Sequence, residues 1–318
     1  MEQRVQAAEA AIVGWVAPGM RWWNSPTDAW PLVHLSDTIL VLGAYLFLAA
    51  GCLGYKWHVS ALARAERERR LGATEGSGFR LGGNSGGLLK AAGVTRIDTP
   101  VVRALTAAHA GAQLLASAGV LAMVAGRYAT DRGALLACNP LDPKDTELAA
   151  LVYALFLTKL SALLESGLVL LAGNWATFGL GHVYRRSSAV LLLWLCVRVG
   201  YGGDIIFFVG ADSAAQVRGR SWSAAYAAEA EPLPLPQVVG SLARALGCVL
   251  GRSARWAPAL QAAFGLAIAA HAGYLLLVAA PDCGGLPPRL VGLVLAYVVS
   301  AAVSLCDAAK DTPHGKAL

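Results

Sequence analysis

At 318 residues, with 56% hydrophobic residues, only 14% charged residues and a mean hydropathy of +0.53, the chain carries too little polar surface for a soluble protein. Its net charge of +6 comes mostly from arginines between apolar runs and is accompanied by no nucleic-acid motif, so it points to membrane orientation and anionic lipid, with no nucleic acid as partner. The six cysteines are far apart with no C-x-x-C pair, which suggests neither a zinc site nor a thiol redox motif.

Taken in order, the chain begins with residues 1–32, MEQRVQAAEAAIVGWVAPGMRWW and its continuation. There is no charged start followed by a long apolar core, so the segment reads as an interfacial amphipathic helix with tryptophans at headgroup level. Apolar runs of spanning length follow at about 33–55, 101–126, 148–171, 178–198, 204–224, 257–280 and 286–306. About 20 residues at 1.5 Å each cross the hydrocarbon, so the sequence predicts an all-α, polytopic membrane domain of seven helices over residues 33–306. A polar tail, 307–318, closes the chain as given. The fifth run is the most polar, with Asp204, Asp212, Gln216, Arg218 and Arg220, and can span only facing other helices or a wet cavity.

Between the first two runs, residues 56–100 combine an arginine-rich start, ARAERERR, with a glycine- and serine-rich strap. The first and fifth connections are basic, while the N-terminal segment and the second, fourth and sixth connections are poor in Lys and Arg. The positive-inside rule then places the N-terminus outside and the C-terminus inside. This topology puts Cys138, in ACNPLDP, and Cys283, in PDCGGLPP, on the same outer side, and a disulfide between them is expected if that side is oxidising. Cys52, Cys196, Cys248 and Cys306 lie in or beside apolar runs and read as small core residues.

The polar residues at membrane depth concentrate in the hairpin Glu147 to Arg186, which carries Lys159, Glu165, His182, Arg185 and Arg186. Charge in hydrocarbon is costly, so such residues mark a site or an internally paired network. Glu165 precedes the inner end of the third helix by about six residues, and Arg185 and Arg186 follow the inner start of the fourth by about seven. The depths match, near 10 Å, which predicts an ion pair across the hairpin. The functional counterpart is a cationic pocket for an acidic headgroup or the phosphates of a thioester. His182 lies three and four residues before the arginines and shares their helical face. On the fifth helix Asp212 is placed to offset one of these arginines. His109, His182 and His271, on three predicted helices, could in principle ligate a tetrapyrrole, but lone helical histidines are more often hydrogen-bonded interior residues and no cofactor is expected.

The segment CNPLDPKDTELAALVYALFLTKLSALLESGLVLL, followed by GLGHVYRR, resembles the ELO family of very-long-chain fatty acid elongases, the 3-oxoacyl-CoA synthases of the endoplasmic reticulum. The family pattern runs Cys-x-Pro-[Val/Leu]-Asp, then a helix K-L-x-E-L-x-D-T, a short basic turn and an H-V-Y-H-H box. The likeness extends to R-x-x-x-x-x-H-N in the second helix, here Arg103 to Ala110 with His109 kept, and covers most of the chain from Trp30 to Cys306 apart from the strap after Lys56. It implies a seven-helix elongase-like bundle with the N-terminus outside.

The departures fall on the chemistry. In the elongases a box histidine is thought to take the acyl chain from coenzyme A before malonyl-CoA attacks it. That step needs a neutral nitrogen nucleophile. His182 is present, but the adjacent pair is Arg185 and Arg186, and arginine keeps its proton and offers no lone pair. The helix pattern keeps Lys159 and has Glu165 and Ser166 at the Asp-Thr positions, with Ala162 at the intervening glutamate. The basic turn is Ala172, Gly173 and Asn174, and the fifth-helix motif falls on Asp212 to Arg220 with Gln216 at its histidine. The resemblance thus implies an elongase fold without condensing activity, serving as a structural or accessory subunit of a membrane assembly, with membrane lipid or an acyl chain or phospholipid in the former substrate tunnel. The alternative is an active elongase of altered mechanism, using His182 or His109. The family suggests the endoplasmic reticulum, and mitochondrial and plastid membranes stay open.

Overall fold

A computed structural model describes residues 2–18, 27–72, 100–130, 145–171, 178–199, 205, 208–210, 212–213, 270 and 287–297. Among these, all regular structure is helical: α1 (Glu2–Val16), α2 (Leu35–Gly72), α3 (Pro100–Thr130), α4 (Thr146–Leu171), α5 (Leu180–Val199) and the short α6 (Pro288–Tyr297). Three of them contain stretches long and apolar enough to cross a membrane, at Leu35–Leu62, Ala104–Thr130 and Thr146–Leu168, which fits a membrane protein. Helix α5 coincides with the fourth expected run but carries Arg185, Arg186 and Arg198. Most of the fifth and sixth expected runs and residues 298–306 of the seventh, together with Cys138, Cys283, Gln216 and His271, lie outside the described residues.

The helix starts follow from local chemistry. Asp145 precedes α4 and its Oδ1 accepts the amide of Leu148 at 3.0 Å, the side-chain cap that satisfies one of the free N–H groups of a first turn. Pro100 and Pro288 stand at first helical positions, where proline's missing N–H costs no hydrogen bond and its fixed φ suits the turn. At α2 the cap comes from another helix: the Glu9 carboxylate of α1 accepts the Leu35 amide at 3.2 Å. Since that end also carries the positive pole of the α2 dipole, the buried carboxylate stabilises it twice over.

Helix α4 is the centre of the described bundle, packed against α3 on one side and α5 on the other, while α2 and α1 lean on α5. The core is made where these meet: Leu114, Val120 and Val124 of α3, Val152, Leu155 and Phe156 of α4, and Val190, Leu193, Trp194 and Val197 of α5. Buried fractions of the spanning windows rise from 17% in α2 through 39% in α3 to 50% in α4. The order decides which helix faces outward. Leu40, Phe47, Leu48 and Trp57 of α2 are all more than three-fifths exposed, and apolar side chains so placed suit hydrocarbon, not water.

Helix α1 is not loosely attached. Val13, Val16 and Ala17 are buried, and Glu9 joins them one turn earlier on the same face. The link from α1 to α2 is fastened at three backbone carbonyls: Tyr153 Oη donates to Pro31 at 2.9 Å, Thr38 Oγ1 to Leu32 at 3.0 Å, and Trp194 Nε1 to Val33 at 2.7 Å. Leu32 itself sits at φ 62°, a left-handed conformation that a side chain resists, so these three donors hold a strained turn in place.

Candidate functional site

The polar side chains of the bundle occupy three levels along α4 and α5. At the level of the α5 C-terminus, the Arg198 side chain is 2% exposed and bridges Glu9 at 2.6 Å and also Asp28. Thr27 Oγ1 adds a bond to the Val197 carbonyl at 3.3 Å. Arg127 at the end of α3 meets the start of α4 at the same level, through Asp145 at 2.6 Å and Glu147 at 2.8 Å. In the middle, Lys159 pairs with Asp212 at 2.8 Å, and Gln113 Nε2 of α3 donates to the Thr158 carbonyl at 3.2 Å and to Ser161 Oγ. The Asp212 segment is brought there by close packing: a methyl added at Gly210 would stand 3.0 Å from Val124 Cγ1 of α3.

The third level is the hairpin itself. Arg186 Nη2 lies 2.8 Å from Glu165 Oε2, so the ion pair expected across the hairpin forms with the second arginine of the box. Arg185 instead directs its Nε to the Gly181 carbonyl at 3.4 Å. Beside the ion pair, Ser166 Oγ is 2.9 Å from His182 Nε2 and 3.3 Å from Tyr45 Oη, joining α4, α5 and α2. The His182 ring packs on Phe178 with centroids 5.6 Å apart, and Lys56 of α2 donates to the Phe178 carbonyl at 2.7 Å, pinning the start of α5.

The hairpin residues singled out in the sequence are thus brought together: Glu165, Ser166, His182 and Arg186 form one cluster, with Arg185 a residue away. Asp212, expected to offset one of the arginines, bridges Lys159. Tyr297 of α6 packs against the core beside these levels. His109 is half-buried on α3, which packs against α4. Cys52 and Cys196 are free thiols, Cys196 fully buried in the core.

Sequence reasoning passed over Tyr45, Gln113 and the Arg198 network. Gln113 had a signal, a lone amide in an apolar run, and Arg198 another, a cation closing one. The partners of Arg198 had none, because Glu9 and Asp28 belong to a segment whose packing no local pattern announces.

The arrangement can neutralise charge and fix helix register, and it presents one imidazole hydrogen-bonded to a hydroxyl. The Glu165 and Arg186 pair lies at membrane depth, where its exposed quarter faces hydrocarbon, so Glu165→Gln, which takes the carboxylate away from the guanidinium, is expected to lower stability by about 2–3 kcal/mol, read as a fall of the thermal midpoint in detergent. Comparison with models of protein families and with curated proteins returns no match.

Proposed function

We propose that the chain is a catalytically degenerate relative of the fatty acid elongases: a seven-helix membrane protein, N-terminus outside, that serves as a structural or accessory subunit of a membrane complex. The observation that carries this reading is the Arg186 to Glu165 ion pair at 2.8 Å, at the place where the elongase box has a histidine. A guanidinium holds its proton, has no lone pair for an acyl group, and here is turned to a carboxylate. Condensation needs an acylated nitrogen and a second carbon nucleophile, and the box as built supplies a salt bridge instead. In this reading an acyl chain or phospholipid occupies the former tunnel as a filler of the bundle, and the endoplasmic reticulum is the membrane the resemblance suggests.

The test is direct. Purified protein with radiolabelled malonyl-CoA and long-chain acyl-CoA is expected to yield no 3-oxoacyl product, and the protein extracted in mild detergent is expected to migrate in a complex of fixed stoichiometry. Product formation that disappears in His182→Ala overturns the degenerate reading; migration as a folded lone chain overturns the subunit role.

A further inference from the structure

Of the helical hydroxyls, Thr106, Thr130, Thr158, Ser161, Ser187 and Ser188 all bond back to a carbonyl three or four residues earlier on their own helix. That is the usual fate of a hydroxyl in an apolar helix, since it satisfies the O–H locally. Ser166 departs from it. Its Oγ is held between two side chains of other helices, His182 Nε2 at 2.9 Å and Tyr45 Oη at 3.3 Å. With Tyr45 donating to Oγ and the ring proton of His182 on Nδ1, the serine's own proton points at Nε2. This is the contact by which an imidazole activates a hydroxyl for attack.

We infer that Ser166 and His182 form an acyl-accepting dyad, which takes the acyl group of a long-chain thioester or ester as a serine ester and releases it by hydrolysis. The inference goes beyond the accessory role: acyl capture requires neither a second carbon nucleophile nor the paired box histidines. Ser166 Oγ forms a bond to the acyl carbonyl carbon, its proton passes to His182 Nε2, the carbon–sulfur bond of the thioester breaks, and His182 returns the proton to the departing thiolate. Water then adds to the serine ester by the same proton route, giving the free acid and restoring the hydroxyl.

Two features of the surroundings favour this chemistry. Of the two arginines on the face of the ring, Arg186 is matched by Glu165, which tempers its share of the cost of a transient imidazolium. The serine is 2% exposed, and both its partners touch apolar side chains, Tyr45 packing against the cluster of Ala49, Phe178 and Val183 and the His182 ring against Phe178, so the acyl chain meets hydrocarbon-like side chains. A membrane-embedded serine so placed selects a long apolar acyl group over a short polar one.

The probe is a long-alkyl fluorophosphonate, which a serine attacks at phosphorus with loss of fluoride, applied to the full-length protein in detergent with no malonyl-CoA present. Peptide mass spectrometry is expected to place one adduct on Ser166, with none in Ser166→Ala and labelling at least about 100-fold slower in His182→Gln, whose amide still bonds the hydroxyl. An unlabelled wild type, an adduct on another residue, or an unchanged rate in folded His182→Gln overturns the dyad. The wild-type adduct position needs no variant to fold. Failure here leaves the absence of 3-oxoacyl product untouched, and appearance of that product leaves the adduct untouched, so the two readings fall separately.

Discussion

Arg198→Met is expected to destabilise the protein by about 3–5 kcal/mol, the range for removing one partner of a buried ion pair. The argument rests on what remains. Arg198 and Glu9 have side chains 2% and 6% exposed, so deletion of the guanidinium strands a carboxylate that water cannot reach. Asp28, at 33% exposed, retains solvent and contributes less. The lost charge is felt in a second place, because the same Glu9 caps the Leu35 amide at the start of α2. Glu9→Gln should therefore be milder than Glu9→Ala: the amide oxygen can still accept from Leu35, while alanine abandons both the cap and the counter-ion. Arg198→Met combined with Glu9→Leu is expected to recover most of the loss, since an apolar pair of similar volume avoids burying unpaired charge. Thermal unfolding in detergent ranks the variants, and limited proteolysis locates the damage, with α1 released first. A midpoint for Arg198→Met within a degree of wild type would mean that the network contributes nothing to the fold.

How far the fold and site were legible in the chain depends on the range of the interaction involved. The first four apolar runs correspond to α2, α3, α4 and α5, because length and hydropathy are local properties and a helix in hydrocarbon must satisfy its own backbone. The ion pair of Glu165 with Arg186 was legible for the same reason, since two apolar runs close together in sequence bring residues of equal depth together. Lys159 with Asp212 was not, as 53 residues separate them and tertiary packing, such as the close approach of Gly210 to Val124, sets the register. Least legible was α1. Its sequence reads as a helix for the membrane surface, yet the face bearing Glu9, Val13 and Val16 is buried on α2 and α5. A single glutamate on a helix reads as solvated until the arginine that requires it, 189 positions later by the numbering, is placed beside it.

Lys159→Met is the second large effect, and its partner variant decides what the middle level is for. Lys159 lies about 20 Å along α4 from Thr146, well into a hydrocarbon thickness of about 30 Å, with side chains of the pair 14% and 16% exposed. Removing the ammonium leaves Asp212 charged at that depth, and removing the carboxylate by Asp212→Leu leaves Lys159 so; each is expected to cost about 3–5 kcal/mol. The double variant leaves no charge stranded and is expected to return close to wild-type stability, a coupling of a few kcal/mol between residues in contact. A double variant as unstable as the sum of the singles would show that the two residues act through separate partners. Near-wild-type stability would make the pair dispensable for folding, and then binding assays on the same variant become informative. If the stable double variant also migrates in mild detergent and co-purifies with lipid as the wild type does, the pair serves helix register alone; if it folds but differs in either, charge at the centre of the bundle has a role beyond folding.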